Sequence, residues 1–194
     1  NQDNEDLISF HHREFVNVIS HQPNIKKEHE SIIAATQAII KKNLNNPFSY
    51  NRWGKLYVKL VVGFFEKYQC DKSFTAHCTF LSSIFDEDIK HTEEWLDGLV
   101  QYFEIEIVKA LRSSEFKHAL IYANFNYKFS NSLKKSVYPH SIIMSAYLSA
   151  LQNKAYASFE LNQYEESEKY YEELFTEFEV LLKEPLPELH KELI

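Results

Sequence analysis

Apolar residues along this chain recur at intervals of three and four, and short polar breaks cut the resulting runs. That spacing places one apolar stripe on each helix, whereas a half-buried strand would alternate every second residue. The first run, "EDLISFHHREFVNVIS", carries Leu7, Phe10, Phe15 and Val18, and "HQPN" ends it with Pro23. Proline cannot sit inside a helix without removing a hydrogen bond. "SIIAATQAIIKK" follows, closed by lysines that suit a helix C-terminus. After "NLNNPFS" comes "YNRWGKLYVKLVVGFFEKY", and after "QCDKS" comes "FTAHCTFLSSIF". Thr92, with Glu94 behind it, is an N-cap candidate for "TEEWLDGLVQYFEIEIVKALR". "SSE" separates that run from "FKHALIYANFNYKF". The longest connector, "SNSLKKSVYPH", precedes "SIIMSAYLSALQNKAYASFEL", and "NQ" leads into "YEESEKYYEELFTEFEVLLK". About eight helices joined by short breaks predict antiparallel neighbours and an all-α fold.

Composition supports the same class. Three glycines and five prolines in 194 residues are too few for the many tight turns of a β-rich fold. Fifteen Phe and twelve Tyr supply the buried area that folding requires. Three of the breaks share a pattern: an aromatic opens the helix after the turn, and residues three and seven positions later fall on its face. These are Phe74, His77 and Leu81; Phe116, Ala119 and Ala123; and Tyr164, Ser167 and Tyr171. An aromatic there plugs the junction of two helices, and small residues behind it let the backbones approach.

In these residues the sequence resembles tetratricopeptide repeats and their relatives, the HAT repeats. The last copy places Leu151, Ala155, Tyr164, Ser167, Tyr171 and Leu174 at the packing positions of that pattern. The copy before it uses Phe103, Ile107, Ala110, Phe116, Ala119 and Ala123, with Ile107 where a small residue is usual. "RWGKLYVKLVVGFFEKY" is closer to the HAT form. Phe74, Phe116 and Tyr164 stand 42 and 48 residues apart, against the 34 of a regular tetratricopeptide unit. The resemblance implies antiparallel hairpins stacked as a right-handed α-solenoid, with hairpins at 4–44, 48–86, 91–129 and 139–183 of one helical-repeat domain spanning 1–194. It also implies a non-catalytic scaffold or adaptor that holds a peptide or helix of another protein in a concave groove. Gln152, Asn153 and Tyr156 would face that groove from one hairpin, and Glu104 and Val108 from the one before. A start at Asn1 is expected of a segment from a longer protein.

Charge and candidate chemistry modify this picture little. Residues 164–194 hold ten Glu and three Lys, so the formal charge of −7 lies wholly there. A general nucleic-acid binder would be basic. Arg52, Lys55 and Lys59 nevertheless share one helix face with Trp53 and Tyr57 interleaved, so an RNA-processing type of helical module is the alternative reading. A third is a helical metal-dependent enzyme. Cys70, Cys78 and His77 lack zinc-ligand spacing. The lone Glu-x-x-His at Glu115–His118 is one motif where a di-iron bundle needs two, plus two further glutamates. Adjacent His11 and His12 point to different sides of a helix. No catalytic residue, metal ligand or cofactor is assigned. Two cysteines are too few for a disulfide framework, and no run spans a bilayer, so a cytoplasmic or nuclear location without membrane insertion is expected.

Overall fold

A computed structural model describes residues 25–44, 47–69, 71–86, 92–134 and 141–183. The helix expected around Leu7 to Val18, His11 and His12, Cys70, and the C-terminal "EPLPEL" lie outside them. Among the described residues there are seven α-helices and no strand: α1 (Ile25–Lys42), α2 (Pro47–Tyr68), α3 (Asp71–Ser83), α4 (Thr92–Arg112), α5 (Phe116–Lys134), α6 (Ser141–Glu160) and α7 (Tyr164–Lys183). The fold class is all-α. A 3₁₀ turn, Ile84–Asp86, extends α3.

Two boundaries differ from the sequence reading. α1 starts at Ile25, ahead of the apolar run at Ser31, because Ile25 and His29 continue the buried face of Ile33. Their polar neighbours hide that continuation in the sequence. α5 runs to Lys134, past the hairpin limit expected at 129, because Ser130 and Leu133 remain buried. α2 opens on Pro47, whose missing N–H costs nothing at the first helical position.

The turns explain how so few glycines suffice. Gln69, Ser114 and Asn162 take left-handed backbone conformations, with φ of 46°, 58° and 60°. The latter two turns are built alike. Glu115 N–H bonds to Ala110 C=O at 2.8 Å, and Gln163 N–H bonds to Ser158 C=O at 2.9 Å. Both are the six-to-one bonds of a Schellman ending, which satisfy carbonyls the helix leaves open. Each next helix then starts two residues after the left-handed residue, at Phe116 and at Tyr164.

α1 packs on α2, α2 on α4, α3 on α5, and each of α4, α5 and α6 on the helix that follows it; α4 also touches α6. One apolar cluster runs from Ile33 and Ile40 of α1 through Tyr57 and Phe64 of α2 to Phe103, Phe125 and Phe129. Rings form its spine: Phe74 meets Phe125 edge-on at 5.2 Å, and Phe85 stacks on Trp95 at 4.5 Å. Gly54 makes room for that tryptophan, since a Cβ there would lie 3.3 Å from Trp95 Nε1. Ala110, Ala119 and Ala157 meet where α4, α5 and α6 converge. The aromatic expected to plug each turn does so at Phe74, which is buried, but Tyr164 is exposed and touches Phe159 edge-on at 5.5 Å. Nothing among the described residues lies beyond α7 to close that junction.

Candidate functional site

On α4, residues Gln101, Ile105, Val108 and Arg112 follow the helical spacing that lines up one face, and all four are exposed. Apolar side chains stand out there: Ile105 is 51% exposed and Val108 38%. On neighbouring α6 the corresponding face carries Ser145, Ser149, Gln152 and Tyr156. Gln152 is exposed, Asn153 is partly buried, and Tyr156 is 42% exposed with its ring edge-on to Phe116 at 6.4 Å. Tyr156 therefore belongs to the surface rather than the core.

A polar chain fastens the two helices. On α6, Asn153 Nδ2 donates to Ser149 Oγ at 3.3 Å, and the Ser149 hydroxyl lies near the Glu104 carboxyl of α4. From below, buried Asn126 of α5 donates to Glu104 Oε1 at 3.3 Å and to the Ala146 carbonyl at 3.4 Å. Ser130 Oγ completes the line with a bond to Asn126 Oδ1 at 3.1 Å. Burial raises the Glu104 carboxyl above the usual carboxylate range, and the Ser149 bond opposes that rise. Of the residues expected to line a groove, Glu104 is thus tied to α6 through Asn126, and Asn153 bonds to Ser149. Gln152, Tyr156 and Val108 stay open to solvent. Ile105 and Ser149 were not singled out in the sequence, although Ile105 lies one helical turn from both Gln101 and Val108.

The basic residues of α2 are arranged differently from the expectation. Arg52 is exposed, but Lys55 and Lys59 lie 6.0 and 5.9 Å from the centre of the Tyr102 ring on α4. Tyr57, expected to interleave with them, is fully buried, so it offers no stacking platform. Tyr57 faces inward because it closes a bonded row across three helices. Gln37 Nε2 of α1 donates to its hydroxyl at 2.8 Å, that hydroxyl meets His77 Nδ1 at 2.7 Å, and His77 Nε2 meets Ser73 Oγ at 3.1 Å. Serine, histidine and an orienting group in a row is the order of a nucleophilic triad. Tyr57 accepts from Gln37, and which ring nitrogen of His77 carries the proton sets the direction of its bonds to Tyr57 and Ser73.

Cys78 is buried, and burial pushes its thiol up to about 12. Among the described residues, no group of three or more His, Cys, Asp and Glu is placed to hold a metal ion. His118 pairs with Glu66 of α2 beside an open groove of about 490 Å³, lined also by Ser114, Glu115, Phe116, Lys117 and Leu161. The bond to Glu66 raises the His118 pKa against an opposing effect of burial. A raised histidine pKa means this tie contributes fully below the unfolded value and is lost as pH rises through the folded one. An NMR titration should place His118 above the usual histidine pKa of about 6.5. Glu66→Gln should bring it down; an unmoved value would show that another group holds the proton.

No family model matches this sequence, and neither curated proteins nor solved structures yield a significant match. No helix among the described residues is long and apolar enough to cross a membrane.

Proposed function

We propose that this chain is a non-catalytic protein-interaction scaffold, with α4 and α6 as inner helices lining a groove for a peptide or helix of another protein. In this reading the hairpins α2–α3, α4–α5 and α6–α7 stack as a right-handed, tetratricopeptide-like solenoid, in the cytoplasm or nucleus. The packing order supports it: first helices touch first helices, α2 to α4 and α4 to α6, while α3 touches α5. Each hairpin covers the apolar side of its neighbour and leaves a continuous outer surface.

The observation that carries the reading is the exposure of Ile105, Val108 and Tyr156 beside positioned polar groups, Glu104 held by Asn126 and Ser149 held by Asn153. Exposed apolar side chains with a few positioned polar partners form a surface that a partner can desolvate and orient upon. The nucleic-acid alternative draws less support, since Lys55 and Lys59 are already laid over Tyr102.

Capture from a native extract by the wild-type chain and by the double variant Gln152→Ala/Tyr156→Ala tests this. Proteins held by the wild type should be lost from the variant, while its melting temperature stays within a few degrees because both residues lie at the surface. A large fall in melting temperature with no selective loss would place both residues in the core's service. Retention on single-stranded RNA that falls steeply with salt would favour the nucleic-acid reading instead.

A further inference from the structure

α5 and α7 start from the same turn, so residues 48 positions apart are structural equivalents: Phe116 and Tyr164, Tyr127 and Phe175, Ser130 and Phe178. On α5 this face is covered. Ser130 is buried, and Tyr127 stacks on Tyr147 of α6 with ring centres 5.4 Å apart and planes at 25°. One hairpin earlier, Phe85 follows Phe74 at the same distance along the chain, and it stacks on Trp95 of α4 with planes at 20°. Twice, then, an aromatic eleven residues after the turn aromatic, Phe85 in the 3₁₀ turn and Tyr127 on α5, is capped by an aromatic from the next helix pair.

Phe175 occupies the third such position and is 65% exposed. It is one of a row. Tyr164, Tyr171, Phe175, Phe178 and Leu182 share one line along α7, all but half-buried Tyr171 are exposed, and Phe159 continues the line across the turn. Beside that line run Glu168, Glu172 and Glu179, all exposed. Lys183, 3.9 Å from Glu179, is the one close basic partner among the described residues. The helix carries seven Glu against two Lys. The inner glutamates are already engaged, Glu173 by Tyr127 and Tyr147 and Glu177 by Lys134, so the excess negative charge lies on the outer side.

We propose that this outer face of α7 seats a basic amphipathic helix. That helix sets an aromatic over Phe175 and lysines or arginines opposite Glu168, Glu172 and Glu179. Burial of the apolar row supplies affinity, and the glutamate flank selects the sign of the partner's charge and speeds encounter. A second copy of this chain is the poorer occupant, since α7 against α7 would bring like charges together. The surface is separate from the α4–α6 face and stands whether or not that face binds.

Two synthetic helical peptides, matched in length to α7 and sharing one Trp/Leu stripe, provide the test. One carries lysines on both flanks of the stripe and the other carries glutamates. Fluorescence anisotropy with the full chain should show binding of the lysine peptide, weakened by salt, and little binding of the glutamate peptide. Phe175→Ser/Phe178→Ser should weaken the lysine peptide by about tenfold or more. Glu168→Lys/Glu172→Lys should reverse the preference between the two peptides, and both variants change exposed side chains, so their melts should match the wild type. Equal binding of both peptides overturns the proposal, as does full retention by the serine variant. Sedimentation showing a dimer that the serine variant dissolves would assign the face to a second copy instead, and equally overturn it.

Discussion

Ala119→Arg should be the most damaging single substitution in this protein. Ala119 has no exposed surface and lies with Ala110 and Ala157 where α4, α5 and α6 converge. Backbones approach there because each helix offers only a methyl group. An arginine would have to force the helices apart or leave its guanidinium unpaired among apolar groups. Overpacking and an unpaired buried charge together place the expected loss at about 4 kcal/mol, in the rare tail of point substitutions. For a chain of this size each 1 kcal/mol moves the melting temperature by about 2–4 °C, so the fall should be plain in a thermal scan. Ala119→Gly is the control, with a cost near 1 kcal/mol from helix propensity alone. If arginine and glycine cost the same, Ala119 does not sit in a close junction of α4, α5 and α6.

The second large effect concerns Lys154, which is 3% exposed on α6. Its ammonium lies 3.9 Å from the centre of Tyr127 and 4.0 Å from that of Tyr170, a cation held between two ring faces. Glu173 stands close by, accepting from Tyr127 OH at 2.8 Å and from Tyr147 OH at 2.6 Å. Burial pushes the Lys154 pKa down to about 8, and the Glu173 charge recovers part of that loss. Glu173→Ala removes the compensating charge and strips two partly buried hydroxyls of their acceptor, so it should destabilise by about 3 kcal/mol. Lys154→Met keeps the bulk and discards the charge; such replacements of buried ions are often neutral or stabilising. The double variant should therefore cost less than the sum of its parts. Strict additivity would show that the two groups do not interact.

The same lysine leaves a signature in pH. Its pKa in the folded chain lies below the ordinary lysine value of about 10.4, so between about pH 8 and that value the unfolded chain binds more protons. Stability attributable to Lys154 thus rises with pH across this window, as the penalty of holding a buried charge is relieved. Cys78 and Tyr127, both pushed up to about 12, act in the opposite sense once their unfolded forms begin to ionise. The difference between wild type and Lys154→Met isolates the lysine. That difference should grow in the wild type's favour from pH 7 to pH 9 in chemical denaturation.

Much of the helical order was visible in the residues. "SSE" and "NQ" mark turns that the backbone builds with left-handed Ser114 and Asn162. Ala119, Ala123 and Ser167, placed behind the turn aromatics by spacing alone, are all buried. Lys154 was not legible, because a lysine between Asn153 and Ala155 reads as a solvent-facing residue until two tyrosines from other helices close over it. Tyr57 misled for a related reason. Its neighbours Lys55 and Lys59 read as a basic face although both lie half-buried over Tyr102, and the sequence alone cannot place its hydroxyl beside Gln37 and His77, each 20 residues away. At the candidate site, Glu104 was legible by its position relative to Val108. Asn126, which ties it to α6, became meaningful only when the helices lay side by side.

Local rules account for what the sequence determined by itself: helices in place of strands, where most of them stop, and which small residues let them approach. Each rests on backbone sterics, helical periodicity and turn preferences, all of which act within a few residues. Only the tertiary structure decided which faces remain uncovered. Phe85, Tyr127 and Phe175 each follow a turn aromatic by eleven residues, yet two are capped and one lies open. Burial depends on which helix arrives next, and no spacing inside a single helix records that.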